Sequence, residues 1–477
     1  MSNKTLAILF DLESQESGGS PSFMSPTLSK NPQPISGDNN GGDVGRIPVD
    51  EWLPITESRK GNVYTATFHL LCSGIGLQVI LLPAAFAALG WVWGMIILTV
   101  GFVWKIYSMW LLIHLHEAVH GTRFSRYLRL AIASFGLRLG KLLGVFPIMY
   151  LSGGASSLLV ITGGKAIQQL LHIMSEDDTV PLTAVECFVI FSCFAVVMSQ
   201  FPNLNSLFGV SLIGSVMAVA YCTMIWILPV TSDLQRNSDS YATRDTSFDN
   251  IFNAIGWIAL AFRGNNLVLE IQGTLPSNSK NPSSKTMWRA IVISHVFIAI
   301  CMFPLSIVVY WAYGDKIPAT GGPMGSYLKL YEQDYSKRAA CFIHLTFIFN
   351  CLCSYPINLM PACDNIEMVY TTRRQKPCSF FVRMMLRLFL GLVCFFVAVT
   401  FPFLPYLAVL IGAIALPVTF SYPCFMWISI KKPQRKSPMW YLNVLVGCLG
   451  ASLSVLLVVA SALRLDEQGL HANFYKP

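Results

Sequence analysis

Charge is scarce in this chain. Of 477 residues only 12% are Asp, Glu, Lys or Arg, 54% are hydrophobic, and the mean hydropathy is +0.54. Ordinary soluble domains carry roughly 25% charged residues, so a soluble globular class is excluded and a polytopic membrane protein remains. Cys-x-x-Cys pairs are also missing. The thirteen cysteines are scattered through apolar runs, Cys351 and Cys353 being the nearest two, and they read as small core hydrophobes, with no metal set or disulfide framework among them. There is no nucleotide-binding loop, no HExxH, no GxSxG and no intramembrane aspartate pair, so neither an enzyme nor an ATP-driven pump is supported and no cofactor is expected. The N-terminus lacks a basic segment followed by an apolar one, so no cleaved signal peptide is expected. The formal charge of +8 does not indicate nucleic acid, because the basic residues sit in short clusters between apolar runs, where membrane orientation accounts for them.

What is present is a polar tail followed by long apolar stretches. Residues 1–50 are rich in Ser, Gly, Asn and Pro and cannot bury enough surface to fold alone, so a disordered cytosolic tail is expected. Residues 51–462 make the membrane domain, and 463–477 a short extracellular tail. Eleven stretches are long enough to cross a bilayer, near 65–89, 92–116, 141–171, 184–200, 205–229, 250–273, 288–312, 340–361, 382–401, 404–429 and 439–462. With a cytosolic N-terminus, nineteen lysines and arginines fall in inner segments and eight in outer ones, which supports that orientation and an external C-terminus. Between the second and third stretches, Arg123, Arg126 and Arg129 are spaced for a helix lying on the inner membrane surface. Gly153, Gly154, Gly163 and Gly164 are expected to let the third stretch bend or tilt.

Two stretches make poor continuous helices. In the first, Ser73, Gly74 and Gly76 lower helix propensity within one turn, and Pro83 lacks an amide. In the sixth, Arg263, Gly264, Asn265 and Asn266 interrupt an apolar run and would be costly against lipid. Freed backbone is tolerated in hydrocarbon only where it lines a cavity or is buried in protein. Each break therefore reads as part of a binding site near mid-membrane, the plain alternative being a kink packed by a neighbour. Breaks at positions one and six, five apart, match transporters built from two inverted five-helix repeats. Among intramembrane ionisable residues Lys165, Arg263 and Glu270 lie deepest, while Lys105, His69, Glu117, Glu186 and His295 fall nearer span ends or on unassigned faces. Arg263 and Glu270 are seven apart and would share a helical face, so an ion pair between them competes with a substrate or proton role.

Several motifs are recognisable. Leu115-His116-Glu117-Ala118-Val119, Gln200-Phe201-Pro202-Asn203-Leu204-Asn205-Ser206 and Leu269-Glu270-Ile271-Gln272 running to Pro276-Ser277 resemble the lysine/histidine-transporter-like branch of the plant amino acid/auxin permease family. So do Trp311-Ala312-Tyr313-Gly314 and Pro423-Cys424-Phe425-Met426-Trp427 leading into Lys431-Lys432-Pro433. The resemblance covers about residues 55–462. It implies an all-α polytopic fold of eleven transmembrane helices in a five-plus-five inverted repeat (LeuT/APC-like) with broken helices 1 and 6, and proton-coupled symport of an amino acid by alternating access. Two departures fall at the breaks: Gln78 stands where the family has a second glycine, and Ala261-Phe262-Arg263-Gly264-Asn265-Asn266 replaces the usual A-F-A-G-H-N.

On this reading Ser73, Gly74, Ile75, Gly76 and Gln78 form one side of the substrate site, the amides of Gly74 to Gly76 facing a carboxylate. Phe262, Arg263, Gly264 and Asn265 form the other side, and Lys165, Glu270 and Glu117 are candidates for carrying the proton. The expected partners are an amino acid, protons and the bilayer, with the plasma membrane as the expected address and an internal membrane left open, as is the oligomeric state. A receptor or sensor binding an amino acid in the same pocket is the rival.

Overall fold

The computed structural model describes residues 52–56, 59–119, 122–175, 182–201, 203–231, 248–278, 280–317, 336–401 and 404–467. The expected N-terminal tail and most of the C-terminal one lie outside these residues. Among them every regular element is helical. Eight helical segments are long and apolar enough to cross a membrane: Leu82–Leu115, Leu137–Met174, Leu204–Thr231, Ser283–Tyr313, Lys337–Arg374, Phe380–Thr400, Leu407–Lys431 and Pro438–Leu463. The other three expected spans are covered by shorter pieces, which is where the chain departs from plain membrane helix.

The first expected span is α1 (Val63–Gly74), α2 (Leu77–Ile80) and the start of α3 (Leu82–Leu115). Asn62 caps α1 in a reciprocal capping box with Thr65. Pro83 sits in the first turn of α3, where its missing amide costs nothing. Gly90, at φ +73 and ψ 176, interrupts α3 and divides the first expected span from the second without a loop. A short helix α4 (Tyr127–Phe135) leads into α5 (Leu137–Met174), then α6 (Ala184–Met198) and α7 (Phe208–Thr231). The sixth span is α8 (Phe248–Ala261) and α9 (Asn265–Gly273). There follow α10 (Ser283–Tyr313), α11 (Lys337–Arg374), α12 (Phe380–Thr400) and α13 (Leu404–Leu416). A π turn, Pro417–Ser421, joins α13 to α14 (Tyr422–Lys431), and α15 (Pro438–Glu467) comes last.

The long helices α5 and α11 pack extensively against each other, α3 packs on α8, and α10 on α1. Nine of the thirteen cysteines are buried, in keeping with their reading as small core side chains. Large apolar side chains stand exposed along α12 (Phe389, Leu392, Phe396) and α15 (Leu445, Leu449, Val455), a surface suited to hydrocarbon and not to water.

Two expectations are corrected by packing. Gly163 and Gly164 do not bend α5: a Cβ on either would run into Phe191 or Phe188 of α6, so they are seats for aromatic rings in a continuous helix. Arg126 does not lie on the membrane surface. It precedes α4 and is fully buried, its guanidinium paired with Asp364 of α11 (Nε to Oδ2, 2.5 Å) and donating to Thr56 Oγ1 (3.3 Å), and Tyr127, Leu128, Leu130 and Ala131 of α4 are buried with it. The arginine period points one of its three members into protein because α11 supplies a carboxylate there.

Candidate substrate site at the two chain breaks

At the first break α1 ends with Gly74, and Ile75 (φ −113, ψ 125) and Gly76 (φ −177, ψ −149) are extended. Any residue can adopt that backbone, so Gly76 is kept small for space: a Cβ there would lie 3.1 Å from Oε1 of Gln78. The Gln78 amide folds back over the end of α1, its Nε2 donating to the carbonyls of Gly74 (3.0 Å) and Ser73 (3.3 Å). Carbonyls that a helix end leaves over are thus satisfied by a side chain. The Ser73 hydroxyl donates to His69 O (2.9 Å), and the Ile75 amide to Leu71 O (3.0 Å). The amide expected to face a ligand at Ile75 is therefore already engaged inside α1, and Gly74 belongs to that helix. The amides that helical geometry leaves over at this break are those heading α2, Leu77 and Gln78.

At the second break Gly264 has φ +105, the left-handed region where an L side chain is strained, and the place of its missing Cβ is open space. Here glycine serves conformation. On either side of it the polar residues separate. Asn265, fully buried, donates from Nδ2 to Ser108 Oγ of α3 (2.7 Å) and to Thr419 O of the π turn (2.9 Å), which pins α9 to its neighbours. Arg263 points the other way and donates from Nη1 to Oδ1 of Asn358 on α11 (2.9 Å). Its own carbonyl accepts from the buried ammonium of Lys105 on α3 (3.0 Å). Phe262 packs into α3, against Phe102 with ring centroids 6.4 Å apart, over Gly101.

The two breaks meet on one turn of α11. Ser354 donates its hydroxyl to Cys72 O at the end of α1 (2.7 Å), and Asn358, four residues on, receives Arg263. Four residues rise about 6 Å along a helix, so the interruptions, almost 190 positions apart in the chain, lie side by side. Leu151, Ser152, Arg263, Gly264, Asn266, Leu267 and Asn358 line a cavity of about 10 Å³, room for about one water. The Ser152 hydroxyl and the Arg263 Nε are buried without a hydrogen-bond partner among the described residues.

The structure gathers Ser73, Gly74, Ile75, Gly76 and Gln78 at one break and Arg263 and Gly264 at the other, while Phe262 and Asn265 turn away from the cavity into packing contacts. Lys165 lies on α5 thirteen residues beyond Ser152, about 20 Å along the helix, and is not brought to the breaks. Glu270 is buried on α9, with neither carboxylate oxygen hydrogen-bonded among the described residues. It does not pair with Arg263 and lies instead within the electrostatic reach of Asp364 and Arg126. Glu117 sits just beyond α3, 3.2 Å from Arg123 Nε and accepting from Ser283 Oγ at the head of α10 (2.8 Å). Neighbouring His116 and the hydroxyls of Ser283 and Ser277 hold its carboxyl down at about 2, against the opposing effect of burial. A group so firmly ionised suits a brace between helices and not a proton carrier.

Sequence reasoning passed over Ser152, Ser354 and Asn358, named Asn266 only as part of the interruption, and left Lys105 on an unassigned face. Lys105 had a signal of its own, as the lone charge in a long apolar run, whereas the small polar residues of α5 and α11 carry none until the helices are packed.

The profile of the family described as transmembrane amino acid transporter protein matches residues 59–463. Lysine histidine transporter-like 7 of Arabidopsis thaliana is 80% identical over 474 residues, 99% of each chain. Lysine histidine transporter-like 8 of the same plant is 44% identical, over 91% of this chain and 86% of the relative. Among solved structures, a Na+-coupled sialic acid symporter in a substrate-bound outward-open state aligns with a TM-score of 0.54 at 13% identity, covering 87% of this chain and 92% of that one, so the two share a fold. A multi-pass helical chain matched over nearly all of its membrane region by one family, this protein belongs to the transmembrane amino acid transporter family.

Proposed function

We propose that the protein is a secondary active transporter that carries an amino acid into the cytosol by proton-coupled alternating access. The observation that carries this reading is the apposition of two helix breaks on a single turn of α11, held by Ser354 and Asn358. Paired interruptions at mid-membrane present backbone groups to a polar ligand without exposing them to lipid. We assign the substrate carboxylate to the amides left over at the first break, and Arg263, Gly264 and Asn266 line the cavity at the second. At about 10 Å³ the cavity cannot hold an amino acid, so cargo enters and leaves only as the helices around it part.

Protons, and not sodium, are the coupling ions in this account. In broken-helix transporters freed carbonyls coordinate sodium; here the Gly74 and Ser73 carbonyls are occupied by the Gln78 amide, and that of Arg263 by the Lys105 ammonium. Glu270 is the group we assign to the proton, being a buried carboxyl with unoccupied oxygens beside the Arg126–Asp364 pair. In the wider proposal eleven spans form two inverted five-helix repeats, the polar N-terminal tail is cytosolic, the C-terminus is external and the protein works at the plasma membrane. Spans three and eight, equivalent in such a repeat, are α5 and α11, whose extensive contact supports that arrangement.

The test is uptake of labelled amino acids into sealed proteoliposomes under an imposed inward proton gradient. Accumulation above the external concentration, abolished when the proton gradient collapses and indifferent to sodium, is the expected result, with Glu270→Gln passing substrate only down its own gradient. Saturable binding without accumulation would instead identify a sensor, and accumulation that follows sodium would overturn the coupling scheme.

A further inference from the structure

The cavity at the second break is lined by one basic side chain, Arg263, with Lys105 behind it and no counter-charge among the described residues. The Lys105 ammonium is bonded to a backbone carbonyl and the Arg263 guanidinium to an amide oxygen, both neutral acceptors. Among the described residues no carboxylate lies within ion-pair distance of either: Glu117, Asp364 and Glu367 are matched with Arg123, Arg126 and Arg383. Glu270, seven positions beyond Arg263, faces the Arg126–Asp364 pair instead. The excess is local to the cavity, since Arg263, Gly264 and Asn266 line it and the guanidinium keeps an unsatisfied Nε donor. Unpaired charge away from water is costly and favours whatever brings the opposite sign. A guanidinium is also the side chain best shaped to take a carboxylate through two parallel hydrogen bonds.

We propose that Arg263, with Lys105 behind it, selects cargo carrying a second carboxylate, so that the preferred substrates are dicarboxylic amino acids and basic ones are turned away. This rests on the transporter reading above and adds the substrate class to it. The side-chain carboxylate completes the bonding of Arg263 and neutralises the wall, with the Ser152 hydroxyl and the Asn266 amide as neutral donors beside it. A lysine or histidinium side chain in the same place would meet the like charge of the Arg263 guanidinium.

Glutamate and glutamine are nearly equal in shape and differ in that one charge, which makes them the probe. In competition for uptake at pH 7, glutamate is expected to be favoured over glutamine by about tenfold or more, the scale of one charge-assisted hydrogen-bond pair, with lysine failing to compete. Arg263→Ala should bring the glutamate-to-glutamine ratio close to one, whereas Arg263→Lys should keep glutamate ahead. The ratio in the unmodified protein is decisive even if Arg263→Ala fails to fold. Equal uptake of the two, preference for lysine, or uptake of neutral amino acids that requires chloride as the missing anion would each overturn the proposal while leaving an amino acid transporter in place. Uptake of no amino acid of any charge would instead overturn the transporter reading on which it rests.

Discussion

Among single residues, one residue type does different work at the two breaks. Gly76 and Gly264 both mark breaks, yet only Gly264 has a backbone that a side chain strains. Gly264→Ala is therefore expected to cost about 1–2 kcal/mol and to lower the midpoint of thermal unfolding in detergent. Gly76→Ala displaces only the flexible end of Gln78 and should leave the midpoint nearly unchanged; an equal loss there would mean that crowding against Gln78 costs as much as the strained backbone at Gly264. Glu117 separates structural from coupling charge in the same way. Its folded value of about 2 lies below the unfolded one of about 4.3, so its stabilising contribution is complete above the latter and is lost only as pH falls towards the former. Glu117→Gln should lower thermal stability at pH 7, with the difference from the unmodified protein shrinking below pH 4, and should leave proton dependence of uptake intact. The sequence set Arg263 and Glu270 among the deepest intramembrane charges and Glu117 nearer a span end; packing then gives Glu117 and Arg263 partners and leaves the Glu270 oxygens without a hydrogen bond among the described residues.

At the scale of elements, both breaks were legible because glycine, proline and consecutive polar residues stand out against apolar runs, and Gly264 sits within the span read as interrupted. The direction in which each polar side chain leaves the break was not legible. It depends on Ser108 and Thr419 for Asn265, and on Asn358 for Arg263, contacts across 95 to 157 positions of chain. The glycines of α5 misled for a related reason, since small residues serve bends and aromatic seats alike and only Phe188 and Phe191 decide. If α11 holds the breaks in register, Ser354→Ala together with Asn358→Ala should reduce the maximal uptake rate at least about tenfold at normal membrane abundance, by misplacing groups that act jointly. An unchanged rate would mean that the breaks are set by α3 and α10 alone.

At the scale of the whole molecule, composition was enough for the class, and the orientation proposed from basic-residue bias awaits its test. The helices long enough to span number eight among the described residues, because the first and sixth expected spans are split into shorter pieces and the fourth is a single helix of 15 residues, Ala184–Met198. The eleven-span proposal puts the termini on opposite faces, so tags at the two ends of the chain in intact cells should differ in accessibility; two tags on one face would contradict the odd count. In the transporter proposed above, one site between the breaks opens in turn to each side. That alternation is tested most directly by counterflow in proteoliposomes preloaded with unlabelled amino acids and given labelled amino acid outside, with every ion gradient collapsed. The account predicts a transient rise of internal label above the external concentration followed by decay, and label that never exceeds that seen in protein-free vesicles would contradict it.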